Sequence, residues 1–176
     1  MRAVQLDLPH GLGPGLRCAL ALFARTHGLV IGALLLLTGV AALLGFVVAA
    51  HGVALLALGL FATVVHELGH ITAYRLATSS GEAIVECDGL RAALHRMPLT
   101  RRADRAVTAA GPLAPLLLAA AFAPLAAVLP AEAVAAVLVA IAHAASLGLP
   151  SADRRAWRQA VQFPVARGGN SPTLLG

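Results

Sequence analysis

Apolar residues run along this chain in blocks long enough to cross a lipid bilayer, and polar residues gather between the blocks. Residues 28–50 are almost unbroken apolar sequence. About 20 such residues in a helix cross a hydrocarbon core of about 30 Å, so this block predicts a first span. His51-Gly52 reads as a tight connection. Residues 53–77 form a second block, closed by Tyr74 and Arg75 as amphipathic residues close a span at an interface. Residues 78–104 are polar and charged, and within them the short runs 83–87 and 90–94 flank Asp88-Gly89. Asp-Gly between two short runs predicts a β-hairpin with a two-residue turn. Met97-Pro98 ends the hairpin, and Thr100 stands where the next helix needs an N-cap. Residues 106–129 are a third span whose Gly111-Pro112, Pro115 and Pro124 must kink it or break its hydrogen-bond ladder. Pro130-Ala131-Glu132 is a turn, and 133–149 are a short fourth span stopped by Pro150.

The ends are less regular. Residues 1–15 carry Pro9 and the Gly11 to Gly15 cluster and predict no element, while 16–25 predict a short surface helix with Arg17 and Arg25 at the headgroups. Residues 154–176 form a basic tail with an interfacial Trp157. The expected fold is an all-α membrane protein: four transmembrane helices with a short cytoplasmic-side β-hairpin between the second and third. It divides into an arm, 1–27, a four-span domain, 28–153, with its core at 53–153, and the tail, 154–176.

Composition supports the membrane reading. Of 176 residues 59% are hydrophobic and 12% charged, about half the charge of a soluble domain, and the mean hydropathy is +0.84. The net charge of +5 comes from 13 Arg and no Lys. These Arg lie in the arm, the 78–104 loop with its flanks, and the tail, and are absent from the two short turns. By the positive-inside rule both termini and the middle loop are cytoplasmic. The expected location is a bacterial cell membrane. Aromatic residues make up 4% of the chain and offer no stacking platform for bases, so no nucleic-acid partner is expected. Cys18 and Cys87 make neither a disulfide framework nor a metal-ligand spacing. The N-terminal apolar pieces are too broken for a cleaved signal peptide.

Chemistry concentrates in the second span, at His66-Glu67-Leu68-Gly69-His70. Polar groups inside a span are costly, about 3 kcal/mol for a charge on insertion scales, so they imply use. His66 and His70 are i and i+4, project from one helix face and can ligate one ion. Zn is the expected cofactor, because neutral imidazole suits it and a catalytic site keeps three protein ligands and a water. Glu67 follows the first ligand and is placed as general base, the H-E-x-x-H metalloprotease pattern. The second and fourth spans both run toward the cytoplasm, which puts Asp153 at the depth of the histidines as third ligand. His143, about two turns earlier on the fourth span, is its competitor, as a ligand, a substrate contact or a structural histidine. The other histidines, His10, His27, His51 and His95, read as interfacial.

These residues resemble the site-2 proteases, intramembrane zinc metalloproteases, over residues 53–155. His66 to His70 resembles that family's zinc helix. Ala110-Gly111-Pro112-Leu113-Ala114-Pro115 resembles its middle-span Gly-Pro motif, and Ser146 to Asp153 its Asn-Leu-Leu-Pro…Asp-Gly segment. Pro115 and Ser146 stand where the family has Asn, and Arg154 where it has Gly. The resemblance implies a zinc metallo-endopeptidase with Glu67 catalytic and His66, His70 and Asp153 on the metal. It places Ser146, Gly111, Pro112 and His143 near substrate. It also implies that the hairpin receives an unwound substrate as an added strand. The expected partners are the bilayer and a single-span membrane protein or signal-peptide-like substrate, cut near the cytoplasmic leaflet. The alternative is a non-proteolytic zinc-binding pseudoprotease that binds single-span partners, which the replaced Asn residues favour. A metal transporter or sensor is a third reading, with His143 as its one further intramembrane candidate.

Overall fold

A computed structural model describes residues 4–149 and 153–155. The chain is mostly helical with one small sheet, in the order β1 (Val4–Asp7), α1 (Leu12–Thr26), α2 (Gly28–Leu43), α3 (Val47–Ala77), β2 (Ala83–Asp88), β3 (Arg91–Arg96), α4 (Arg101–Leu113), α5 (Pro115–Phe122), a 3-10 turn (Ala123–Ala127) and α6 (Pro130–Ala145).

The central element is α3. It has 31 residues, about 46 Å at 1.5 Å per residue. It starts earlier than the apolar blocks suggest, because the break lies at Leu44-Gly45 and not at His51-Gly52. Gly45 has φ 79°, a left-handed conformation that a side chain disfavours, and helix resumes at Val47. His51 is therefore a helical residue, and its Nδ1 lies 2.8 Å from Glu132 Oε1 in the first turn of α6. Farther along, His66 Nδ1 meets His143 Nδ1 at 3.0 Å. Two contacts in the same chain order on both helices make α3 and α6 parallel neighbours.

The arm is not irregular. β1 pairs antiparallel with β2, Val4 opposite Cys87 and Asp7 opposite Ile84, and β2 pairs with β3, Ala83 opposite Arg96. The sheet order is β1-β2-β3, and the tight turn has Gly89 at φ 60°. The sheet and α1 cover the C-terminal half of α3. Leu8, Leu22, Phe23, Ile71, Tyr74, Val85 and Val107 share this core. Tyr74 and Arg75 consequently do not face an interface. Tyr74 is fully buried and donates to Glu82 O at 2.7 Å. Arg75, 2% exposed, donates to Gly81 O at 2.5 Å and Leu8 O at 2.7 Å. Leu8 follows β1 and Gly81 precedes β2, so both carbonyls lie outside the sheet ladder, and one guanidinium satisfies the two at once. His27 likewise is buried, at the α1–α2 bend, with Nδ1 2.7 Å from Thr26 Oγ1 and Nε2 3.3 Å from Leu90 O.

The other half of the molecule presents apolar side chains outward, among them Leu29, Leu36, Val48, Leu117 and Val128. Surface of that kind over several helices suits hydrocarbon better than water. Among the described residues two helices are long and apolar enough to cross a membrane, α3 and the 101–127 segment formed by α4, α5 and the 3-10 turn, and the count rises to three if α1 and α2, bent by 57° at their junction, are taken as one broken span. α6 is apolar but shorter. At 16 residues each, α2 and α6 measure about 24 Å alone, less than the block lengths 28–50 and 133–149 suggest. Gly45 cuts the first block. The fourth ends in turns at 146–148. The expected stop at Pro150, Trp157 and nearly all of the basic tail lie outside the described residues.

Candidate metal centre

His66 and His70 stand one above the other on α3, with ring centroids 4.9 Å apart at 79°. Asp153 comes up to them from beyond α6. Its Oδ2 is 3.6 Å from His66 Nε2, its Oδ1 is 3.3 Å from His70 Nε2, and the two Nε2 atoms are 3.2 Å apart. These three residues form a group able to hold a metal ion. The triangle has the right size. Ligands at about 2.0–2.1 Å on a tetrahedral zinc lie about 3.3 Å from one another. The side chains are 11%, 13% and 19% exposed, so the centre is largely shielded from solvent.

Each donor is held from behind. His70 Nδ1 lies 2.8 Å from the Val107 carbonyl. A carbonyl only accepts, so Nδ1 carries the proton and Nε2 is left as the donor atom. Ser146 Oγ donates to Asp153 Oδ2 at 3.2 Å. Glu67 directly follows His66 on α3 and is partly buried.

The close approach of α3 and α4 depends on glycine. A Cβ on Gly69 would lie 2.5 Å from Ala110 O and 2.7 Å from Ala114 Cβ. A Cβ on Gly111 would occupy the place of the His70 imidazole. Gly111, expected near substrate, is buried against His70, and Pro112 and Pro115 are buried too. Ser146 sits on the ligand Asp153, and His143 on the back of His66. Of the residues expected at the site, His66, His70 and Asp153 form the donor triangle, while Gly111 packs on His70, Ser146 on Asp153 and His143 on His66. Sequence reasoning missed the Val107 carbonyl and Gly69. A backbone acceptor leaves no mark in a sequence, and a space requirement shows only once a neighbour is in place. Cys18 and Cys87 are free thiols outside the donor group, and burial pushes the Cys87 thiol up.

No protein-family model matches the chain, and neither a curated protein nor a solved structure gives a match.

Proposed function

We propose that the chain is an intramembrane zinc metallopeptidase of the site-2 protease kind, hydrolysing peptide bonds of membrane-embedded substrates near the cytoplasmic leaflet. The observation that carries this reading is the donor triangle itself, with edges of 3.2, 3.3 and 3.6 Å and Glu67 adjoining, inside an apolar helical molecule.

In this reading α2, α3, the α4–α5 segment and α6 are the four crossings, and both termini and the sheet lie in the cytoplasm. The parallel α3 and α6 bring His66 and Asp153 to one depth. The site lies 15 residues beyond His51 on α3, about 22 Å along the axis, toward the end that the sheet covers. Zinc, when bound, would activate a water and polarise the scissile carbonyl. Glu67 would take the proton of that water and pass it to the leaving amine nitrogen. His70, locked by Val107, and Asp153, steadied by Ser146, would keep their donor atoms aimed at the ion. An amide in a transmembrane helix must unwind before it is cut, and its freed backbone groups need partners. The outer edges of β1 and β3 are unpaired within the described sheet and suit addition of an extended substrate strand.

A second reading, a zinc-binding pseudoprotease for single-span partners, draws on two placements. Ser146 is engaged with Asp153 and Pro115 is buried, so neither offers the amide that the family's Asn would. The test separates the two. Wild-type protein and Glu67→Gln are each reconstituted with zinc beside a panel of single-span and signal-peptide-like substrates. Cleavage by wild type and none by a zinc-loaded Glu67→Gln supports hydrolysis. Equal cleavage by both removes Glu67 from the chemistry. Zinc binding with no turnover on any substrate selects the pseudoprotease.

A further inference from the structure

The two zinc-helix histidines are held from behind by different kinds of group. His70 Nδ1 faces a carbonyl, Val107 O. His66 Nδ1 faces another imidazole, His143 Nδ1, at 3.0 Å, with ring centroids 5.1 Å apart and 48° between the planes. His143 is half-buried on α6, and its contact falls on the ring nitrogen of His66 that points away from His70 and Asp153. A ligand would have to reach the opposite nitrogen. The donor group accordingly contains His66, His70 and Asp153 and leaves His143 out.

We propose that His143 is a positioning residue for the metal centre: its Nδ1 accepts a hydrogen bond from His66 Nδ1, which fixes the His66 ring and leaves Nε2 unprotonated toward the ion. The proposal rests on the metal reading of the site. A neutral imidazole has one protonated and one bare nitrogen, and only the bare one can ligate. A fixed protein group on Nδ1 holds its proton, and so the ring, in one orientation better than mobile solvent would. Among the described residues no carbonyl meets this atom, and the group that does is His143. Groups of this kind behind a ligating histidine are typically worth 10- to 100-fold in metal affinity.

The test uses the full chain in detergent. Zinc affinity is read by competition with a chromophoric chelator, and the donor set by the visible spectrum of the cobalt(II)-substituted protein and by zinc-edge X-ray absorption. His143→Leu removes the acceptor and keeps an apolar body. His143→Asn returns an acceptor, because its Oδ1 is as many bonds from Cβ as the Nδ1 it replaces. The expected result is zinc affinity lowered 10- to 100-fold in His143→Leu, with two nitrogen donors still on the metal, and recovery toward wild type in His143→Asn. If His143→Leu does not fold, His143→Gln, whose oxygen is set one bond too far, takes its place with the same expected loss. Wild-type affinity in the acceptor-less variant overturns the proposal, as does equal weakening in His143→Asn, which would make the contact mere packing. Loss of one nitrogen donor overturns it in favour of a ligand. Failure of the wild type to hold zinc overturns the metal reading with it. A wild type that holds zinc beside an unaffected His143→Leu overturns this inference alone.

Discussion

Gly111→Ala tests how the donor triangle is built. The added methyl would stand where the His70 imidazole now lies, with its first clashes at Nε2, Cε1 and Cδ2. Carbon and its neighbours sit comfortably at about 3.5–4.0 Å, so ring or helix must give by on the order of 1 Å. The ring has little freedom, because Nδ1 is tied to Val107 O at 2.8 Å on the same helix that carries Gly111. Metal ligands tolerate displacements of about 0.2 Å. The strain therefore falls on the centre, either by turning His70 away or by prising α4 from α3. Overpacking of this kind costs about 1–3 kcal/mol. If about 2.7 kcal/mol of it appears in metal binding, zinc affinity drops about 100-fold. The control is Gly59→Ala on α3, where an added Cβ meets nothing within 4 Å. It is expected to leave zinc affinity unchanged. Chelator competition on both purified variants, beside melting with and without zinc, reads the difference. Gly111→Ala with wild-type zinc affinity would refute the packing argument.

Asp153→Ala removes the only carboxylate of the donor group and is expected to abolish stoichiometric zinc while leaving the metal-free fold intact, as metal analysis and circular dichroism would report. Zinc retained at full occupancy would contradict its role. Arg75→Met leaves the buried carbonyls of Gly81 and Leu8 without their donor. At about 1–3 kcal/mol per stranded group, the variant should lose several kcal/mol of stability and become sensitive to proteolysis near residues 4–11. Unchanged melting would contradict the tie. Glu67→Gln should keep zinc and lower turnover by about 10²- to 10⁴-fold, the usual worth of a general base.

The juxtaposition of His66, His70 and Asp153 was largely legible in the sequence, because its logic is one of helical spacing and of depth. His66 and His70 are four apart, and Asp153 follows from parallel α3 and α6, which arginine placement implies. The arm was not legible. Val4 to Asp7 is too short to announce a strand, and its partner lies about 80 residues away in β2. The start of α3 was misplaced because His51-Gly52 and Leu44-Gly45 look equally like breaks in an apolar run. The actual break is set by backbone conformation at Gly45, and His51 is instead used to pair with Glu132. Tyr74 and Arg75 were read by a general tendency of membrane-span ends. A sheet folded back over α3 overrides that tendency by burying both. His143 was singled out from its depth in the fourth block, yet which nitrogen of which ring it meets is a matter of rotamers and helix rotation, which no spacing rule supplies.

What the purified chain binds tests the metal reading most directly. Zinc-edge X-ray absorption of the wild-type protein, with metal counted per chain, is the decisive measurement. The account predicts one zinc with a shell of nitrogen and oxygen at about 2.0–2.2 Å, two of the donors imidazole, and no sulfur. A chain that carries no zinc after loading, or a shell without two imidazoles, would contradict it.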